Sequence, residues 1–288
     1  MPFVLLWIYA EYPIHAGNLS GGLDRLYTLL QKSKLLKEHY DRKLQFDVSS
    51  AEVQPISDVE LPPSDTVSTI SLRHAWDRRV KMLVCVIACH HCSQKQYGTS
   101  LKLLSGLAKD GSDPHYLSLL GYVLLQLGDV RSARKILELL RSYCQADDSD
   151  KEATALCLNL EGLLLFASDT FQDAITKFEE ASSLSPENPV PCNNISVGHM
   201  YAKNLHVSIK LLENKLAQNH AFILEKPMVL NLCSMYELAS ARSNESKQSL
   251  HTWIMKQAPD DFDSASTRLS SPSVAVTWPL DASWSSPR

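Results

Sequence analysis

The sequence predicts an all-α fold of stacked helical hairpins, and three observations predict it. Small residues recur at a fixed distance inside apolar segments. Those segments repeat with a period near 34 residues, and no stretch alternates with the period of two that a half-buried strand would show. The clearest unit runs from Ala155 to Asn188. Gly162 lies in an apolar helix, Ala174 follows 12 residues later, and Phe178, Ala181 and Pro186 continue at intervals of 4, 3 and 5. A small residue on each of two antiparallel helices lets them cross closely. The larger residue one turn on is expected to fill the groove to the neighbouring unit, and proline to open the next helix.

Gly121, Ala133, Leu137 and Leu140 repeat the intervals of 12, 4 and 3 in a unit beginning near Pro114. The unit from Pro189 carries small Ser196 and Ser208, with Leu212, each 34 residues beyond its counterpart. Fainter copies lie near Lys81 (Ala88, Ser100, Leu104), near Pro227 (Ser234, Ser246, Leu250) and near the start (Ala10, Gly22, Leu26). This order is the tetratricopeptide pattern, so the expected architecture is a right-handed superhelical solenoid. Gly17-Asn18, Gly128-Asp129 and Ser168-Asp169 fall where each hairpin must turn, and Asp169 with Gln172 matches a capping box.

Residues 1–46 read as an N-terminal repeat-like hairpin, 47–70 as a flexible insertion rich in Ser, Pro and acids, 71–260 as the repeat solenoid and 261–288 as a disordered tail containing Trp278 and Trp284. Met1 to Ala10 is apolar but far short of the roughly 20 residues of a membrane span and has no basic lead-in. Its helix starts without a cap, as the C-terminal portion of a longer product would. With 28 basic and 32 acidic residues, a net charge of -4 supplies no basic field for nucleic acid. The seven cysteines, an odd number scattered in apolar helical patterns, suit reduced thiols in a reducing compartment.

No phosphate-loop, dinucleotide, nucleophile-elbow or zinc-protease pattern is present, so neither an enzyme nor a cofactor is expected. Cys85, Cys89, His90, His91 and Cys92 include a CxxC spacing. Without a second such pair, and with the three cysteines on one helical face, they are expected in the core and not on a metal. Asn159, Asn193 and Asn231 recur three residues before the small residue of each first helix, with Asn194 beside the second and Leu163, Val197 and Met235 one turn beyond. Two roles are open for them. The amides can line a concave groove and bind an extended partner segment, or they can bridge adjacent helices internally.

The segment LNLEGLLLFASDTFQDAITKFEEASSLSPENPVPCNNISVGHMYAKNL, followed by VLNLCSMYEL and preceded by GNLSGGLDRLY, resembles the C-terminal repeats of the subunit 12 family of the trafficking protein particle (TRAPP) complex, over roughly Pro2 to Gln248. Lys215 stands where that family pattern has a small residue. The resemblance implies a cytoplasmic scaffold subunit of a vesicle tether in endoplasmic reticulum to Golgi transport. Its partners would be other tether subunits, and it would reach membranes only through them. The alternative is a general tetratricopeptide co-chaperone or other assembly adaptor holding a C-terminal carboxylate in a basic clamp.

Overall fold

The computed structural model describes residues 2–46, 69–109, 113–146, 149–218, 225–240, 243–257, 262 and 264–267, and every element among them is helical. The chain divides into two compact units, Met1–Asp110 and Gly111–Ser283. Helices α3 and α4 therefore group with the first hairpin, so the sequence boundaries at residues 46 and 70 do not mark this division.

In the first unit, α1 (Phe3–His15) pairs with α2 (Leu19–Phe46), and α3 (Thr69–Ser93) packs on α2 and turns back as α4 (Tyr97–Lys109). Residues 69 and 70, expected within an insertion, already open α3; the remainder of that insertion lies outside the described residues. Close crossings fall at the small positions read from sequence. A methyl group added to Gly22 would meet the Ile14 side chain at 2.2 Å, and Ala10, Ala88 and Ser100 are buried. Gly17 takes φ +86° at the first turn, where the Asn18 side chain caps α2 by accepting from the Gly21 amide. Between α1 and α3, the buried Arg79 guanidinium lies 4.9 Å from the Phe3 ring and 4.7 Å from Trp76, so its planar cation is packed on aromatic faces.

Asp77 links α2 and α3 through Lys37 at 2.5 Å and Lys81 at 2.9 Å. Burial raises its pKa, but the two ammonium groups outweigh burial and hold the carboxyl below the usual aspartate range. The stabilisation is thus present above the unfolded value of about 3.9 and is lost as pH falls through the lower folded value. Asp77→Asn should cost roughly 0.5–1 kcal/mol at pH 7, a modest figure because the pair is partly exposed. Urea titrations of the variant and parent should converge as the pH is lowered through the depressed folded value.

The second unit stacks four hairpins in chain order: α5 (Pro114–Leu127) with α6 (Val130–Ala146), α7 (Lys151–Phe166) with α8 (Phe171–Leu184), α9 (Pro189–Tyr201) with α10 (Leu205–Gln218), and α11 (Lys226–Ala239) with α12 (Ser243–Gln257). Each second helix packs on the first helix of the next hairpin. Helix starts follow the local chemistry. Asp113, Asp150 and Asn188 accept from the amides of His115, Ala153 and Val190, and proline occupies the opening of α5, α9 and α11. Asp129 caps α6 through the Ser132 amide after Gly128 turns the chain at φ +84°.

The predicted capping box at Asp169 does not form. Asp169 sits in the left-handed region at φ +60° and Thr170 is the cap residue, its hydroxyl donating back to the Leu165 carbonyl. The chain uses Asp169 to reverse direction, which leaves its side chain unable to reach the amides of the new helix.

Crossing chemistry varies along the stack. The Phe178 ring lies over Gly162 of its own hairpin, where an added methyl would meet it at 2.5 Å. Gly121 instead accommodates Leu160 of the next hairpin at 2.7 Å. Where α9 meets α10, Ser196 and Ser208 clasp. Their hydroxyls are 2.9 Å apart, and each also donates to the other's backbone carbonyl, so two buried polar groups are satisfied at the contact. Lys215 reaches back to the Pro186 carbonyl at 3.1 Å. Part of the predicted disordered tail is ordered: Phe262 packs on the core of the last hairpin, and a 3-10 turn, Ser264–Thr267, contacts α11 and α12, with Thr267 bonded to His251 at 2.8 Å. The rest of that tail, with Trp278 and Trp284, lies outside the described residues.

Candidate functional site

The seven residues expected to line a groove, Asn159, Leu163, Asn193, Asn194, Val197, Asn231 and Met235, are all buried. The amides meet each other. Asn159 donates from Nδ2 to the Tyr122 hydroxyl at 3.0 Å and accepts through Oδ1 from Asn194 Nδ2 at 3.2 Å, which ties α5, α7 and α9 together. Asn231 donates to Asn193 Oδ1 at 3.0 Å and joins α9 to α11. The groove reading is thereby corrected. First helices of consecutive hairpins approach so closely that an amide on each is enclosed by its neighbours and must find its partner there. Tyr122 carries no repeat signal of its own in the sequence. Its phenol, pushed up in pKa chiefly by burial, stays protonated and ends one chain of bonds.

Cysteine and histidine placement bears on chemistry. Cys85 and Cys92 are buried, His91 bonds Tyr27 at 2.7 Å and Gln96 at 2.6 Å, and His90 faces Glu11 at 3.2 Å. Among the described residues no group of three or more His, Cys, Asp or Glu side chains is arranged to hold a metal ion. Burial pushes the Cys157 thiol up to about 12 and raises Cys192 and Cys233 as well, so these thiols remain protonated at neutral pH. No described helix is long and apolar enough to cross a membrane.

What remains accessible is surface suited to another polypeptide. On α1, Leu5, Ile8, Tyr9 and Tyr12 recur at helical spacing and are 50%, 57%, 60% and 67% exposed. Scattered exposed apolar residues are ordinary; these four form one stripe along a single helix face. The first helices of the second unit carry almost no cations. Helices α5 and α9 have no lysine or arginine, and α7 and α11 have only Lys151 and Lys226, at their first positions. A carboxylate clamp has nothing to build on there.

Stacked antiparallel hairpins, small residues buried at all but the last crossing and enclosed first helices define an all-α helical-repeat protein with the tetratricopeptide arrangement. Within that class the chain resembles TRAPP subunit 12. It is 26% identical over 271 residues to the trafficking protein particle complex subunit 12 of Mus musculus, and 25% identical over 271 residues to that of Homo sapiens; both likenesses cover 93% of this chain. The chain spans about a third of the length of these relatives, 32% and 35%. No protein-family model matches it. A thermophilic tetratricopeptide protein of Thermus thermophilus is similar at 17% identity with a TM-score of 0.48, over 66% of this chain and 100% of its own. A tetratricopeptide repeat protein from Parabacteroides merdae is similar at 11% identity and a TM-score of 0.47, over 89% of this chain and 92% of its own.

Proposed function

We propose that this chain is a non-catalytic scaffold of a TRAPP-like vesicle tether, supporting endoplasmic reticulum to Golgi transport from the cytoplasmic side by binding other subunits. The observation that carries this reading is a likeness to TRAPP subunit 12 that runs along nearly the whole chain. The exposed α1 stripe supports it, because an apolar helix face of this kind is what a neighbouring subunit's helix buries. Binding to membranes then follows from the assembled complex. The co-chaperone alternative is disfavoured by the near absence of lysine and arginine on the first helices of the second unit.

Affinity purification of the tagged full chain from cells, followed by mass spectrometry, is expected to recover tether subunits. Recovery of chaperones in their place would favour the adaptor alternative. The exposed double variant Ile8→Asp/Tyr12→Asp should lower subunit recovery by about tenfold while leaving the circular dichroism melt unchanged, since centrally buried aromatic and aliphatic anchors dominate such contacts. Undiminished recovery would remove α1 as the docking face.

A further inference from the structure

The last hairpin breaks a rule the others obey. In each preceding second helix the small residue at the crossing is buried: Gly22, Ser100, Ala133, Ala174 and Ser208. In α12 the corresponding Ser246 is exposed, and the next residue, Lys247, is buried at 1% exposure and ion-paired with Glu237 of α11. Helix α12 buries Lys247, Leu250 and Ile254, and it presents Ser246 and Ser249 outward.

The consequence is a cleft of about 550 Å³ bounded by α10, α11 and α12. Leu216, Leu232, Leu250 and the half-buried Trp253 form its apolar walls, and Glu213 and Glu245 stand exposed at its edge. Among the described residues no lysine or arginine lines it. The Tyr236 hydroxyl donates to Glu213 Oε1 at 2.6 Å, and burial first, then the carboxylate, raise the phenol's pKa so that it remains a donor. Glu213 is thus held in place at the rim while its other lone pairs stay available to an incoming cation.

We propose that this cleft receives a short segment of a partner protein carrying a bulky apolar side chain flanked by lysine or arginine. Both halves of that description come from the site: apolar walls around a volume fit to take a large side chain, and a rim bearing the exposed carboxylates of Glu213 and Glu245, which attract cations and repel acidic segments. The inference rests on the reading of this chain as a protein-binding scaffold and names the chemistry of one of its clients.

The test is fluorescence anisotropy with the full chain and two fluorescein-labelled helical peptides. Both carry tryptophan and leucine one turn apart, and they differ only in having lysine or glutamate on either side. The lysine peptide should bind at least about tenfold more tightly and weaken as salt is raised. Glu213→Gln with Glu245→Lys should remove that preference, and Ser246→Trp should block binding while leaving the carboxylates intact; both should retain the parent's melt. Equal affinity for the two peptides, or a preference that survives the rim substitutions, overturns the proposal. Self-association abolished by Glu245→Lys would place a second copy in the cleft and overturns it too. Tether subunits recovered by a chain that ignores both peptides would sink only the cleft, whereas peptide binding without tether subunits would sink only the complex assignment.

Discussion

Replacing Phe178 by alanine is expected to destabilise the second unit by about 3–5 kcal/mol, the range for removing a buried aromatic ring from a packed core. The ring is 1% exposed, and its carbons stand 2.5–3.0 Å from where a Cβ on Gly162 would sit. Helices α7 and α8 cross at this contact, so the vacated volume cannot be filled by a small shift of one side chain. The companion substitution fixes the cause. Gly162→Ala gains roughly 1 kcal/mol of helix propensity, but it drives a methyl into a rigid buried ring, a strain of about 1–3 kcal/mol, and should be destabilising overall. Combining Gly162→Ala with Phe178→Leu gives the methyl room, so the double variant should be more stable than the sum of the single effects by about 1 kcal/mol or more. Urea denaturation of the parent, Gly162→Ala, Phe178→Leu and the double variant reads this directly. Strict additivity would mean that the two residues do not share the crossing.

That contact also marks how far the sequence could be read. Gly121, Gly162, Ala133, Ala174 and Ser208 were legible because a hairpin is local: two helices joined by a short turn place residues 12 apart side by side, and only small ones permit the approach. Ser196 and Ser208 were legible as small, but the clasp was not, since a hydroxyl's partner depends on rotamers that spacing does not specify. The turns at Gly17-Asn18, Gly128-Asp129 and Ser168-Asp169 fall between helices as read, yet Asp169 adopts left-handed backbone there, as do Lys95 and Lys203 at two turns the sequence reading did not mark, where composition points to glycine or asparagine. Packing of the flanking helices overrides the local preference there. The asparagine column was legible as a column, with groove-lining and interior bridging both open. Whether a first-helix residue faces a groove or a neighbour depends on how closely successive hairpins approach, a distance no single repeat contains. For the same reason the burial of Lys247 and exposure of Ser246 in α12 had no sequence signal short of noticing an acidic Glu237 ten residues upstream.

The asparagine column yields the second large effect. Asn159→Leu keeps the volume and removes both hydrogen bonds at once, leaving the Tyr122 hydroxyl and the Asn194 amide enclosed without that partner. An unsatisfied buried polar group costs about 1–3 kcal/mol, so the variant should lose roughly 2–5 kcal/mol of stability, more than an exposed asparagine could. A groove-lining Asn159 predicts the opposite pattern, with stability nearly unchanged and partner binding lost. Adding Tyr122→Phe should return part of the loss, because exchanging both members of a pair for apolar groups is far cheaper than orphaning one. Adding Asn194→Leu should return more. Denaturant midpoints for the series decide the matter: if Asn159→Leu melts with the parent, the bonds joining α5, α7 and α9 do not hold these hairpins together. If instead the loss appears and is recovered stepwise, the amides act as fasteners between repeats, and recognition falls to the outer surfaces, the α1 stripe and the acidic cleft.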